Sequence, residues 1–279
     1  MQSLQAVITG TIQGLSEFLP ISSSAHIVFS NELYHLITHT TSQTNHQEEI
    51  FFDIIVHLGT LFAVLIYFFK DIKNILINSF ISLKNKNYKN TELQMLYFII
   101  LSTIITSLMG LILKTPVETL VLNPKIICFL LLITGGLLLF SEKLYKGDKT
   151  ISLKACIFIS IAQGLAIFPG FSRSGFTIAT ALLNGLNRVE AGRFSFLMSI
   201  PVIFLASLFY PLFELDMSQI STFNLKAIII GFLTSFIVGY LCIKYFMKLL
   251  KMLNLRIFGY YCLVASVVMF LIFQFAYHQ

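Results

Sequence analysis

The sequence predicts an all-α integral membrane protein: about six transmembrane helices plus two re-entrant helical hairpins, arranged as an inverted-topology repeat. Three observations carry this. The 279-residue chain is 56% apolar and only 11% charged, where a soluble domain carries about 25% charge. Its apolar residues gather into runs long enough to cross a bilayer, which takes about 20 residues per helix. Two further apolar regions are broken in the middle by Pro, Gly and serine, and they resemble each other in sequence.

In chain order, the first broken region is Met1–Leu36, followed by spans at about Phe52–Phe69, Leu93–Leu113 and Pro124–Phe140. The second is Ile151–Leu186, followed by spans at about Phe194–Phe213, Leu225–Tyr245 and Ile257–Tyr277. Each broken region reads as two short helices folding back on themselves, a hairpin over 1–36 and another over 151–186. The chain divides into a first repeat half, 1–149, and a second, 150–279, within a single membrane domain. No Lys or Arg precedes Lys70, so the first apolar segment lacks the basic start of a cleaved signal peptide and is expected to stay in the mature protein.

The net charge of +6 does not point to nucleic acid, because the lysines lie in short clusters between apolar runs. Lys70, Lys73, Lys84, Lys86 and Lys89 follow the first span, Lys143, Lys146, Lys149 and Lys154 the third, and Lys244, Lys248, Lys251 and Arg256 the fifth. The alternate stretches Leu36–Ile50, Lys114–Asn123 and Glu214–Asn224 hold one Lys between them. Placing the basic loops in the cytoplasm sets the first hairpin on the outer side, the second on the cytoplasmic side, and both chain ends outside. The four cysteines, Cys128, Cys156, Cys242 and Cys262, sit in apolar stretches without CxxC spacing and read as small buried hydrophobes.

The hairpins place the chemistry. Gln13-Gly14-Leu15-Ser16-Glu17-Phe18 aligns with Gln163-Gly164-Leu165-Ala166-Ile167-Phe168 at an offset of 150 residues, which pairs Ser22-Ser23-Ser24 with Ser172-Arg173-Ser174. Copies entering from opposite faces bring their broken tips together inside the bilayer, where inverted repeats build their sites. Glu17 is the only charged residue between Met1 and Asn31, and Arg173 the only one between Cys156 and Asn187. A charge at that depth costs about 2.5–3.5 kcal/mol and usually faces a cavity. The bland alternative is a structural Glu17–Arg173 pair that locks the hairpins together, and the two roles can coexist.

The neighbouring residues suit a phosphate ester or anhydride. Pro20 with Ser22, and Ser172 with Ser174, start half-helices whose free N–H groups and dipole favour an anion. Arg173 adds a planar fork that matches phosphate oxygens. His26 shares a helix face with Ser22 and Ser23 and is a candidate base or acid, and Gln13 shares one with Glu17. Against this, serines at helix starts are usually only caps, and a lone helical His is more often hydrogen-bonded than catalytic. His46, Glu48 and Glu49 read as a solvated face and not a metal site, and Asp53 and His57 as anchors of the first span near the interface.

The run Gln13-Gly14-Leu15-Ser16-Glu17-Phe18-Leu19-Pro20-Ile21-Ser22-Ser23-Ser24-Ala25-His26 resembles the first signature of the undecaprenyl-diphosphate phosphatase, or bacitracin-resistance, family. Pro169-Gly170-Phe171-Ser172-Arg173-Ser174-Gly175-Phe176-Thr177 is similar to its second, PGxSRSxxT, and the likeness continues through Arg193-Phe194-Ser195-Phe196-Leu197 and the span pattern. The resemblance implies a hydrolase of the bacterial inner membrane. Its site would open outward and convert undecaprenyl diphosphate to the monophosphate carrier reused in cell-wall synthesis. It implies Glu17, Ser23, His26 and Arg173 as catalytic residues, with Gln13, Ser22, Ser24, Ser172, Ser174 and Thr177 lining the substrate site.

The resemblance also implies Mg²⁺ or Ca²⁺ accompanying the diphosphate, with the metal ligands unknown and no organic cofactor. The expected partners are the lipid diphosphate and bilayer lipids, with nucleic acid excluded and a homodimer left open. Many members carry Glu where this chain has Gln13 and Gly where it has Ala25, so the first position is not expected to be an obligatory metal-binding carboxylate. A second membrane phosphatase class, with an SRx5Hx3D signature, fails because Ala179 and Leu183 stand where His and Asp are required. The remaining alternative is a polyprenyl-phosphate flippase or transporter on the same inverted repeat.

Overall fold

The computed structural model describes residues 3–38, 46–120, 123–214 and 223–276, which form eleven α-helices and no strand. Six of them are long and apolar enough to cross a membrane: α3 (His46–Tyr67), α5 (Thr91–Leu120), α6 (Pro124–Lys143), α9 (Arg188–Glu214), α10 (Leu225–Leu249) and α11 (Arg256–Ala276). They coincide with the six expected spans, so the chain is an all-α multi-pass membrane protein. Helix α5 runs past its expected end through Pro116, and α9 starts six residues before Phe194, at Arg188. Apolar side chains such as Leu111 and Ile112 are 76% and 74% exposed, as a lipid-bathed surface requires.

The two broken regions fold as helix pairs. α1 (Ser3–Ser16) and α2 (Ser23–Thr38) form the first, α7 (Leu153–Leu165) and α8 (Arg173–Leu183) the second. None exceeds 16 residues, short of the length a single crossing takes. α2 and α8 begin at Ser23 and Arg173, so the second helix of each pair keeps the offset of 150 residues seen in the sequence.

One helix was not expected. The basic stretch after the first span contains α4 (Phe69–Lys84), which buries Ile75, Ser79 and Ser82 at helical spacing while Lys70 and Lys73 stay exposed. Its lysines mask this stripe in a reading based on hydropathy alone. Of the two lysine-free stretches expected to face outward, Leu36–Ile50 and Glu214–Asn224, residues 39–45 and 215–222 lie outside the described residues.

Small residues set the close crossings, as van der Waals packing between membrane helices requires. α10 packs against both α1 and α3, α7 against α5, and α6 against α11. A Cβ on Gly10 or Gly14 of α1 would lie 2.8 Å from the Gly231 carbonyl oxygen or 2.9 Å from the Gly239 nitrogen of α10. On α6, one on Gly135 would meet the Gly259 carbonyl oxygen of α11 at 2.8 Å. Beneath the first break, the rings of Phe18 and Phe196 meet edge to face at 5.6 Å, and Phe196 in turn meets Phe246 at 6.1 Å. That aromatic seat holds the linker between α1 and α2 against α9 and α10.

A second buried ion pair ties helix ends together. Glu142, at the end of α6, accepts Nε and Nη2 of Arg188 at 2.9 and 2.6 Å, and also the backbone N–H of Leu255 at 2.8 Å. The Arg188 guanidinium lies 4.0 Å over the Tyr145 ring. One carboxylate thereby joins the end of α6 to the starts of α9 and α11.

Candidate active site

Both breaks are built alike. Ser22 stands before α2 in the left-handed region (φ 71°), accepts the Ala25 N–H at 3.3 Å and shares a 3.2 Å hydrogen bond with Ser24. Such a conformation costs a non-glycine residue energy that the surroundings must offset. Ser172 caps α8 by accepting the Gly175 N–H at 3.1 Å and pairs with Ser174 at 3.3 Å. Gly170 takes the positive φ (101°) here, and a Cβ on it would lie 2.5 Å from the Ile127 carbonyl oxygen. The tips are joined directly, because the Ser174 hydroxyl donates to the Leu19 carbonyl at 3.1 Å.

At the junction lies Glu17, one residue past α1 and 8% exposed. Its two carboxylate oxygens are divided between the hairpins. Oε1 accepts Nη2 of Arg173 at 2.5 Å, while Oε2 accepts the Ser23 hydroxyl at 2.8 Å and Nε2 of Gln13 at 3.1 Å. Ser23 and Arg173 are the first residues of α2 and α8, so the aligned positions converge on one carboxylate. Of the five buried polar side-chain atoms without a partner among the described residues, two lie at this junction: Nη1 of Arg173 and Oε1 of Gln13. A buried donor of this kind loses about 1–3 kcal/mol unless something bonds it, which marks the side of Arg173 that a ligand would occupy.

The other expected residues divide. Thr177 bonds its own helix at the Arg173 carbonyl (2.8 Å) and meets Ser195 at 2.5 Å, tying α8 to α9. His26 does not join Glu17. Its Nδ1 lies 2.8 Å from the Ser22 carbonyl and its Nε2 2.7 Å from the Tyr261 hydroxyl, with the two rings stacked at 5.6 Å. A carbonyl only accepts, so Nδ1 carries the proton and Nε2 accepts from Tyr261. All four cysteines are buried and free. Two of them serve the first break, since the Cys242 and Cys262 thiols donate to the Leu15 and Pro20 carbonyls.

Sequence reasoning missed His57, read as an interfacial anchor. On α3 it faces Glu17, with Nε2 3.9 Å from Oε2. No spacing in the sequence joins it to Glu17, 40 residues earlier at the end of another helix.

For a cation, the residues present make a poor cage. Mg²⁺ and Ca²⁺ need six or more oxygens, yet Glu17 is the one carboxylate at the junction and its oxygens already hold three donors. Among the described residues no three His, Cys, Asp or Glu side chains come together. Beside Arg173 lies a cavity of about 540 Å³ between α5, α7 and α9. Thr106, Gln163, Arg173 and Ser199 form its polar wall, and Leu111, Ile167, Val202 and Phe209 much of the remainder.

A family model described as bacitracin resistance protein BacA matches residues 6–268. Relatives named undecaprenyl-diphosphatase include one from Methanosphaera stadtmanae, 38% identical over 95% of this chain and 96% of its own. One from Saccharophagus degradans is 37% identical over 99% and 100% of the two chains. Another, from Methanobrevibacter smithii, is 35% identical over 97% and 98%.

Proposed function

This chain belongs to the bacitracin resistance protein BacA family, and from that premise we propose that it is a membrane phosphatase hydrolysing undecaprenyl diphosphate to undecaprenyl phosphate and inorganic phosphate. The reaction recycles the lipid carrier of cell-wall synthesis and confers bacitracin resistance. The observation that carries the reading is the shared Glu17 carboxylate, with Arg173 on one oxygen, Ser23 on the other, and the second prong of Arg173 unbonded. The transporter alternative shares the architecture, and the relatives' names favour the phosphatase.

Arg173 would hold a phosphate oxygen through Nη1 while Nη2 keeps Glu17 in place. The N-termini of α2 and α8 add N–H groups and the positive ends of two helix dipoles. The Ser23 hydroxyl already donates to Glu17 Oε2, so its lone pairs are free for attack on the terminal phosphorus and its proton has an acceptor. The leaving lipid phosphate is a stable anion, and catalysis reduces mainly to positioning and charge stabilisation. His26, held by Tyr261, positions the first turn of α2. A divalent ion would arrive on the diphosphate, and the prenyl chain would lie in the cavity beside Arg173, leading from the junction toward lipid.

We place the protein in the inner membrane with the site opening outward, the two halves 1–149 and 150–279 related by inversion and their short helices re-entrant. The lysine asymmetry supports this orientation. Labelling single cysteines in intact cells tests it: an impermeant reagent should modify Ser42→Cys and spare Asn87→Cys, and the reverse pattern overturns it. Activity is tested by phosphate release from C55 diphosphate by purified protein in detergent. Release that survives removal of the Arg173 guanidinium would sink the assignment.

A further inference from the structure

Glu17 is buried and held by three donors, which leaves open how it would exchange a proton with water between turnovers. His57 offers the route. α10 packs against both α1 and α3, and Gly59 fixes the crossing two residues from His57: a Cβ there would fall 2.0 Å from the Ser235 hydroxyl. The imidazole faces Oε2 of the carboxylate, while Arg173 takes Oε1.

Its tautomer follows from its own helix. Nδ1 lies 2.8 Å from the Asp53 carbonyl, which can only accept, so Nδ1 carries a proton and Nε2 is the nitrogen that can gain or lose one, 3.9 Å from Glu17 Oε2. That gap exceeds the reach of direct transfer, about 2.6–3.2 Å, and is closed by a small ring movement or one bridging water. The His57 side chain is 36% exposed against 8% for Glu17, so it lies between the buried carboxylate and the surface of the protein. The titratable groups facing it are Glu17 from the first break and Asp53 one turn earlier on α3. His26, by contrast, has both ring nitrogens engaged away from the carboxylate.

We infer that His57 is the proton relay between Glu17 and water. This rests on the reading of Glu17 as the base for the attacking hydroxyl. In the first step the Ser23 O–H bond breaks and its oxygen bonds the terminal phosphorus. The bridging P–O bond breaks with its electron pair leaving on the lipid monophosphate. The proton passes to Glu17 Oε2, then to His57 Nε2, and from there to water. When water then attacks the phosphoserine, one of its O–H bonds breaks and its oxygen bonds phosphorus. The Ser23 Oγ–P bond breaks with its electron pair on Oγ, and the proton taken up by Glu17 Oε2 returns to that oxygen, leaving hydrogen phosphate. His57 acts through Glu17 and need not touch the substrate.

The test uses the full-length protein in detergent with C55 diphosphate. His57→Ala should lower turnover by about 10²-fold, the lower end of acid–base effects. Added imidazole should restore part of the loss, and should leave wild type and Ser23→Ala unchanged. His57→Gln reaches the same position with an amide that cannot carry the proton, and should lose activity without responding to imidazole. Wild-type turnover in His57→Gln, or a folded His57→Ala that imidazole does not help, overturns the relay alone. If the wild-type protein itself releases no phosphate, the reading of the site fails and the relay falls with it.

Discussion

Two buried carboxylate–guanidinium pairs cross this molecule, and they are finished to different degrees. Glu142 and Arg188 are saturated: both carboxylate oxygens take a guanidinium nitrogen, a third donor comes from Leu255, and Tyr145 covers the cation. Glu17 and Arg173 share a single contact, with Nη1 of Arg173 left buried and unbonded. A closed pair has nothing left to offer a ligand and serves to fix helix ends. An open pair, held where two helices start, keeps a donor for an anion. Completeness of hydrogen bonding, more than charge or depth, separates a lock from a site in this fold.

The largest expected effect breaks the open pair while keeping its charge. Arg173→Lys should reduce turnover per folded molecule by roughly 10³-fold, because an ammonium cannot bond Glu17 and a phosphate oxygen through one rigid plane. Phosphate release measured against the folded fraction decides it. Near-normal turnover would return Glu17–Arg173 to the same structural class as Glu142–Arg188.

Ser23→Ala follows, with a loss of at least about 10²-fold, the size expected for a reacting or directly bonding group. Ser22→Ala removes a cap and should instead cost about 0.5–2 kcal/mol of stability. Melting temperature and turnover, measured on both variants, tell the two serines apart. If Ser23→Ala keeps more than about a tenth of the wild-type rate, water activated by Glu17 becomes the attacking group.

Much of this was legible in the sequence, for identifiable reasons. Spans follow from unbroken apolar runs, and the hairpins from Pro, Gly and Ser interrupting such runs at matched positions. Glu17 and Arg173 stood out as lone charges in apolar sequence. His57 did not, since Glu48, Glu49 and Asp53 precede it within ten residues and give it the look of an interface. The orientation of His26 was equally hidden, because spacing places a ring on a face while Tyr261, 235 residues away, decides which atom it meets. The saturated pair was invisible for the same reason: Glu142 stands beside Lys143 and Lys146, and Arg188 beside Glu190 and Arg193, where charge is ordinary.

Gln13 offers a way to sharpen the comparison from the acidic side. Its Nε2 donates to Glu17 Oε2 at 3.1 Å, so Gln13→Glu replaces a donor with a second carboxylate. Two carboxylates sharing a site repel unless a proton or a cation lies between them. With chelator present, turnover should fall roughly tenfold, equivalent to a one-unit like-charge shift. Mg²⁺ or Ca²⁺ should then raise it by a larger factor than in wild type. An identical cation response in both proteins would mean that the first position does not face the ion carried by the substrate.

The smallest effect on chemistry should come from the pair with the most contacts. Glu142→Gln keeps the shape and one acceptor but strips the charge that balances Arg188, leaving a partly buried guanidinium without its counter-ion. Breaking one partner of a buried pair costs about 3–5 kcal/mol. The amide oxygen recovers part of that, so a loss of about 2–3 kcal/mol should appear as a clear drop in melting temperature. Turnover per folded molecule should stay within about twofold, since Glu142 joins α6, α9 and α11 at their ends and reaches no group bonded to Glu17. Paired melting and phosphate-release curves separate the two quantities. If Glu142→Gln loses turnover as steeply as Arg173→Lys while remaining folded, saturation of a pair does not mark it as structural, and the distinction drawn between the two fails.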